Sequence, residues 1–207
     1  MRSTVILPID DKEDDVVSSI INLLQSNIKP TNICVIVNKS MDEAKKETIK
    51  AFFRSCCDDS PYIEEYEQNY KVCKKTREGV NFLNMIVNGK SDNDMKNMAF
   101  EYMKNDTDIF FTMDSNTKYS PEFIEKHLEK FTEKIIGAVY SDYIMNNSVV
   151  LLDSIHSLLD HNVDCKHVAF RSTLFSDGPF DGDNFSVIKA GYQDSIIRHI
   201  PEPLYST

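Results

Sequence analysis

No stretch of this chain approaches the ~20 consecutive apolar residues that span a bilayer, and no apolar signal region follows Met1. Both absences point away from the membrane, and the cytoplasm is the expected compartment. A basic surplus is missing too. Lys and Arg number 23 against 33 Asp and Glu, a net charge of −10 at pH 7, which argues against a nucleic-acid or anionic-membrane surface. Only Lys71, Lys74, Lys75 and Arg77 cluster, and they read as a solvated helix face. The cysteines Cys34, Cys56, Cys57, Cys73 and Cys165 contain no C-x-x-C pair. Cys34 and Cys165 lie in apolar runs as reduced core thiols, and Cys165-x-His167 alone is too little for zinc. A G-x-G-x-x-G is absent as well, which sets aside an ordinary Rossmann dinucleotide binder. There is no internal repeat and no linker.

What remains is the make-up of one ordinary globular domain over 1–207: 41% hydrophobic and 27% charged residues in 207. Its front half alternates. Thr4–Ile9 reads as a buried strand stopped by Pro8 and the acidic turn that follows. Val16, Val17, Ile20, Ile21, Leu23 and Leu24 recur at helical spacing. Asn32–Val37 is a second apolar strand, and Met41–Phe53 a charged helix with Ala44, Ile49, Phe52 and Phe53 inward. Residues 54–80 read as a surface excursion or, from Tyr62, Tyr66 and Tyr70 four apart, as a helix face. Phe82–Val87 is a third strand, ended by the turn signal Asn88-Gly89. Asp92–Lys104 is a helix with Met95, Met98, Ala99, Tyr102 and Met103 inward. Strand and helix alternating through short loops predict a parallel sheet with helices on both faces. The back half is strand-rich: Ile135–Tyr143, a partner at Val149–Asp153 across Asn146-Asn147, then Val163–Phe170 and a closing segment near Ile196–Tyr205. Ile155–Leu159 reads as helical, and His167 and His199 as hydrogen-bonded residues within apolar strands.

The organising stretch is Asp108 to Pro121. Ile109–Met113 has the length and apolarity of a buried strand. It runs into Asp114-Ser115-Asn116, a carboxylate, a hydroxyl and a carboxamide in three residues. Ser120 is placed to cap a helix over Pro121–Phe131, with proline in its first turn. A carboxylate just past the carboxyl end of a central strand stands where open α/β sheets bind ligands, and such oxygens suit hard cations.

These residues resemble the end of the nucleotide-binding half of family-2 glycosyltransferases, which have the GT-A fold. There a strand enters a D-x-D motif, usually Leu-Asp-Ser-Asp-Asp, followed by a Pro-Glu-led helix; here the run is Met113-Asp114-Ser115-Asn116-Thr117. The likeness extends along the chain. Pro8-Ile9-Asp10-Asp11 is similar to the family's opening Pro-x-x-Asn. Val37-Asn38-Lys39-Ser40-Met41-Asp42 stands where Asp-Asp-Gly-Ser-x-Asp is usual. Asn88-Gly89 followed by Asn97 resembles the Asn-x-Gly turn and the Ala-Arg-Asn helix. Gly137–Tyr143 is similar to the strand after the D-x-D helix, and Pro201–Tyr205 to the closing segment. Gly178–Asp181 leads toward the Glu-Asp motif, where Asp183-Asn184 is the nearest match.

The resemblance implies a GT-A, Rossmann-like fold with a nucleotide-binding half at 1–121 and an acceptor-side half at 122–207. It implies inverting transfer of a sugar from a nucleotide-diphosphate donor, a UDP-sugar first, to an acceptor hydroxyl. Asp114 and Asn116 would hold Mg²⁺ or Mn²⁺. Pro8, Asp10, Asp11, Asn38, Asp42 and Asn97 would line the donor site, and Asp183 would be the base. At three places the family's acidic residues are missing here, and an amide accepts no proton at neutral pH. The alternative is therefore a GT-A-fold module without turnover, binding a protein partner in an assembly such as a virion.

Overall fold

The structure, a computed structural model of the chain, describes residues 1–9, 16–56, 63–66, 70–77, 79–88, 91–152, 168–175, 179–180 and 196–206. Among these residues the core is a single mixed sheet. Its centre is β1 (Ser3–Ile9), whose side chains are buried throughout. Parallel to it on one side runs β2 (Asn32–Asn38), then β5 (Val80–Val87); on the other side runs β6 (Ile109–Thr112). Strands buried on both faces read as unbroken apolar runs, which is why these four were visible in the sequence.

Three helices of this half carry the crossovers: α1 (Val16–Leu24), α2 (Glu43–Cys56) and α3 (Asp92–Met103). A fourth, α4 (Phe123–Lys130), follows the acidic turn. Successive residues of a strand face opposite sides, and the rings of β6 use this. Phe110 meets Phe100 of α3 at 4.9 Å between centroids, while Phe111 meets Phe123 of α4 at 6.1 Å. In α2, Phe53 packs on Phe82, which shares a register level with Ile33, Val5 and Phe111. Helices α2 and α4 thus cover one face and α3 the other.

The sheet's flanks are mixed. Beside β5 lie β4 (Tyr70–Arg77) and then β3 (Ile63–Tyr66), an antiparallel pair. This corrects two expectations, because Tyr66 and Tyr70 belong to neighbouring strands and the basic cluster rides a strand, not a helix. Beyond β6 come β10 (Ala169–Arg171), antiparallel, then β8 (Ile136–Met145), β11 (Ile196–Ser206) and β7 (Lys118–Tyr119). β9 (Ser148–Val150) turns back onto β8 through Asn146 and Asn147, both at positive φ, 51° and 61°. Asparagine tolerates that conformation, and a two-residue turn of this hand suits the strand twist.

Several smaller expectations are corrected. Pro8 does not stop β1, which continues to Ile9; pairing with β6 has ended at Ile6–Thr112, so the missing N–H has no partner to lose there. Helix α4 starts two residues late, at Phe123, because Ser120 accepts the Glu122 N–H at 3.3 Å and the Phe123 N–H at 2.9 Å in a preceding turn. Ala44 and Ile21 are exposed, while Phe100 is fully buried and Met98 and Tyr102 are only half-buried. Cys34 is a free, buried thiol as expected. Asp10, Asp11, Gly89, Ile155–Leu159, Cys165, His167, Gly178, Asp181, Asp183 and Asn184 lie outside the described residues, as does most of Val163–Phe170.

Candidate functional site

Parallel strands leave their carboxyl ends along one rim of the sheet, and the candidate residues sit there. β6 ends at Thr112, and Met113 still donates its N–H to the Ile6 carbonyl at 3.1 Å. The next residue, Asp114, is half-buried. Its N–H donates to the Tyr119 hydroxyl oxygen at 2.9 Å, and its Oδ1 accepts the Asn116 N–H at 2.8 Å. That is an Asx turn, which fixes the carboxylate relative to the backbone two residues on. From the other side, Ser19 of α1 donates its hydroxyl to the Ser115 carbonyl at 2.6 Å. Ser115 Oγ is buried with no partner among the described residues, while Asn116 is exposed. The turn is thus held by both α1 and Tyr119, with an amide and a carboxylate at its tip.

On β2 the equivalent rim position is Asn38. Its Oδ1 accepts the Ser40 N–H at 3.1 Å and the Ser40 hydroxyl at 3.0 Å, closing a turn on itself. Asp42 accepts the Ala44 and Lys45 N–H groups at 3.0 and 3.2 Å and so caps α2. Pro8 lies level with Ile36 inside the sheet and is buried. Asn97 of α3 donates its Nδ2 to the Phe180 carbonyl at 2.6 Å and accepts the Phe180 N–H at 2.9 Å. Phe180 in turn packs on Phe170 and lies 5.7 Å from the ammonium of Lys96, itself buried and paired with Asp92. Pro8, Asn38, Asp114 and Asn116 therefore belong to one rim, whereas Asn97 ties down a back-half segment.

Sequence reasoning missed one polar pair. Asp142 of β8 is 1% exposed, and its Oδ1 accepts both the Leu152 N–H at 2.7 Å and a bond from His199 Nε2 of β11 at 2.8 Å. Its Oδ2 is buried without a partner among the described residues. The His199 ring stacks on Tyr140 at 4.9 Å and 23°. His199 was read as hydrogen-bonded; the signal for its partner was the one charged residue within the run Gly137–Tyr143. His127 of α4 is different. Its Nδ1 bonds the Phe123 carbonyl at 2.7 Å, and burial pulls its pKa down to about 4, so it is a neutral core residue.

For a divalent cation the available donors are one carboxylate and one amide oxygen, both hard ligands of the right chemistry. No group of three His, Cys, Asp or Glu that could hold a metal occurs among the described residues. The donor set fits an ion whose remaining ligands come from a bound diphosphate. No helix among the described residues is long and apolar enough to cross a membrane.

No family model matches the chain, and none of the curated protein sequences does. Solved structures match over its whole length. TarS of S. aureus in complex with UDP-GlcNAc superposes with a TM-score of 0.68 at 13% identity, covering 100% of this chain and 58% of that one. TarS in complex with UDP gives 0.67 at 11%, covering 100% and 60%. Glucosyl-3-phosphoglycerate synthase from Mycobacterium tuberculosis, with Mn²⁺, UDP and phosphoglyceric acid, gives 0.50 at 13%, covering 99% and 69%. The chain thus spans 58–60% of the length of these TarS chains. With a mostly parallel central sheet, helices on both faces and these superpositions, the chain has the GT-A fold of glycosyltransferases.

Proposed function

We propose that the protein transfers a sugar from a nucleotide-diphosphate donor, a UDP-sugar, to an acceptor hydroxyl with inversion at the anomeric carbon. The observation that carries this reading is the acidic turn at the rim of β6, where Asp114 is oriented by Asn116 and Tyr119. The UDP and UDP-GlcNAc bound to TarS support the donor class. Asp114, with Asn116 as a second oxygen donor, would hold Mg²⁺ or Mn²⁺. When bound, that ion supplies charge neutralisation for the leaving diphosphate. The Mn²⁺ beside UDP in the mycobacterial synthase supports this choice. Pro8, Asp10, Asp11, Asn38, Asp42 and Asn97 would line the donor site within 1–121, and Asp183, in the acceptor-side half, is the sequence's candidate base. A cytoplasmic location goes with this reading.

A second reading, a GT-A-fold module without turnover that binds a protein partner, has its own support. Asn38 closes its own turn, Asp42 caps α2 and Asn97 is engaged with Phe180. Calorimetry with UDP and Mn²⁺, followed by a UDP-release assay across UDP-sugars, separates the two. Metal-dependent binding with turnover supports the enzyme. An absence of both, in a protein that still melts cooperatively, supports the module.

A further inference from the structure

The buried pair Asp142 and His199 has the arrangement of a proton acceptor and its orienting carboxylate. An ionised carboxylate only accepts hydrogen bonds. The nitrogen that meets Asp142 Oδ1 at 2.8 Å, His199 Nε2, therefore carries the ring's proton. The neutral imidazole then presents its lone pair at Nδ1, for which the described residues offer no partner. The Leu152 N–H at 2.7 Å fixes the same carboxylate oxygen, so the ring is held from behind. Stacking on Tyr140 holds it from the side, and the His199 side chain keeps 22% exposure.

Register places this pair on the rim of the candidate site. Phe111, Ala169 and Val139 share one level of the sheet across β6, β10 and β8. Asp114 and Asp142 each lie three residues beyond that level on strands that point the same way. They are two strand spacings apart, about 10 Å, with β10 beginning at Ala169 between them. Alternation puts Asp142, Tyr140 and His199 on the same face as Phe170, Phe110 and α3, because Ala138 is level with Phe170. His199, on β11, lies one strand spacing further out and level with Tyr140.

We infer that His199 Nδ1 takes the proton of the acceptor hydroxyl, with Asp142 as the residue that positions it. This rests on the sugar-transfer reading above. The acceptor oxygen forms the new bond to the anomeric carbon as its proton passes to Nδ1. The bond from that carbon to the diphosphate breaks, and its electron pair leaves on the UDP oxygen. The imidazolium formed lies against the buried Asp142 carboxylate. Among the described residues, Tyr140 on β8 stacks on the His199 ring, and burial, with the Asp142 charge as a smaller cause, pushes the Tyr205 phenol of β11 up. Arg198, next on β11, belongs to the opposite face by alternation and is exposed.

The test uses the full chain with Mn²⁺ and the UDP-sugar that it turns over. His199→Gln keeps a donor for Asp142 but has no titrating lone pair. It is expected to lower kcat by roughly 10²–10⁴-fold with little change in donor KM, and to remove the acid limb of the kcat/KM profile. His199→Gly is expected to regain activity when imidazole is added. If His199→Gln keeps kcat and the acid limb while Asp183→Asn loses them, this inference is overturned and sugar transfer stands. If the parent transfers no sugar, the underlying reading fails and takes the proton-acceptor role with it. Nitrogen-15 NMR of the unmodified protein gives a readout without turnover: the Nε2–H tautomer is expected, and an Nδ1–H tautomer would overturn the assignment.

Discussion

Asn97 and Phe180, 83 residues apart, are joined by two reciprocal hydrogen bonds, amide to carbonyl at 2.6 Å and N–H to amide oxygen at 2.9 Å. The side chain thus imitates a strand partner for one residue and ties the back half onto α3. Replacing Asn97 by Leu leaves both Phe180 groups unpaired beneath a buried ring. The expected loss is about 2–4 kcal/mol, from two bonds of roughly 1–2 each. Asn97→Asp keeps the acceptor and should lose about half of that. Urea unfolding of the two variants measures the difference.

The Asx turn at Asp114 leads to a prediction about charge. Nucleotide binding by the parent should be weak, because losing a charged hydrogen bond forfeits ~1.5–3 kcal/mol and both the β2 rim and position 116 lack an acid. Asn116→Asp should tighten Mn²⁺-dependent UDP binding, and Asp114→Ala should abolish it with little change in melting temperature. Calorimetry decides. Low-micromolar UDP binding by the parent would contradict the expectation.

His127 sets a pH dependence. Its pKa is about 4 in the fold, against 6.5 in an open chain. Between these values the unfolded state binds a proton that the folded state refuses, so stability falls as the pH is lowered from 6.5 to 4. The full effect is roughly 3 kcal/mol. His127→Phe keeps an aromatic ring against Phe111 and Phe123 and should flatten the slope. Urea midpoints at pH 7 and 4.5 for both proteins provide the check.

Burial on β2 pushes the Cys34 thiol up to about 12, so almost none of it is thiolate at pH 8. Iodoacetamide should leave the Cys34 peptide unlabelled in the native protein and label it fully in urea, as read by mass spectrometry.

At the β8–β9 turn, Asn147→Val places a branched side chain at a φ of 61° and should cost roughly 1–2 kcal/mol. Asn147→Gly should be neutral or slightly stabilising, since Asn-Gly is the favoured pair for this turn. Thermal melts separate the two outcomes.

Where burial alone decides structure, the sequence was easy to read. Ile33–Val37 and Ile109–Phe111 are apolar on both faces and could be little else. The β3–β4 pair was hidden because Ile63–Tyr66 is short and both it and Tyr70–Arg77 are heavily charged, so neither alternation nor apolar length marks them. The start of α4 was misplaced because Ser120 caps a turn that looks, residue by residue, like a helix entrance. At the rim, Asp114 and Asn116 were legible from their place after a buried strand. Asp142 and His199 were not paired in advance, since 57 residues separate them and only the parallel register of β8 and β11 brings them together.

The position of β10 also governs how the chain must be born. Its three residues seal the outer edge of β6, yet they follow Thr112 by a long stretch of chain. A ribosome adding about 5–20 residues per second leaves that edge open for several seconds. During that interval the nascent front half displays unpaired backbone beside Phe110 and Phe111, an invitation to pair with any other strand. Substitutions that slow the arrival of Ala169–Arg171 should therefore lower the soluble yield in cells while leaving the melting temperature of the purified protein untouched.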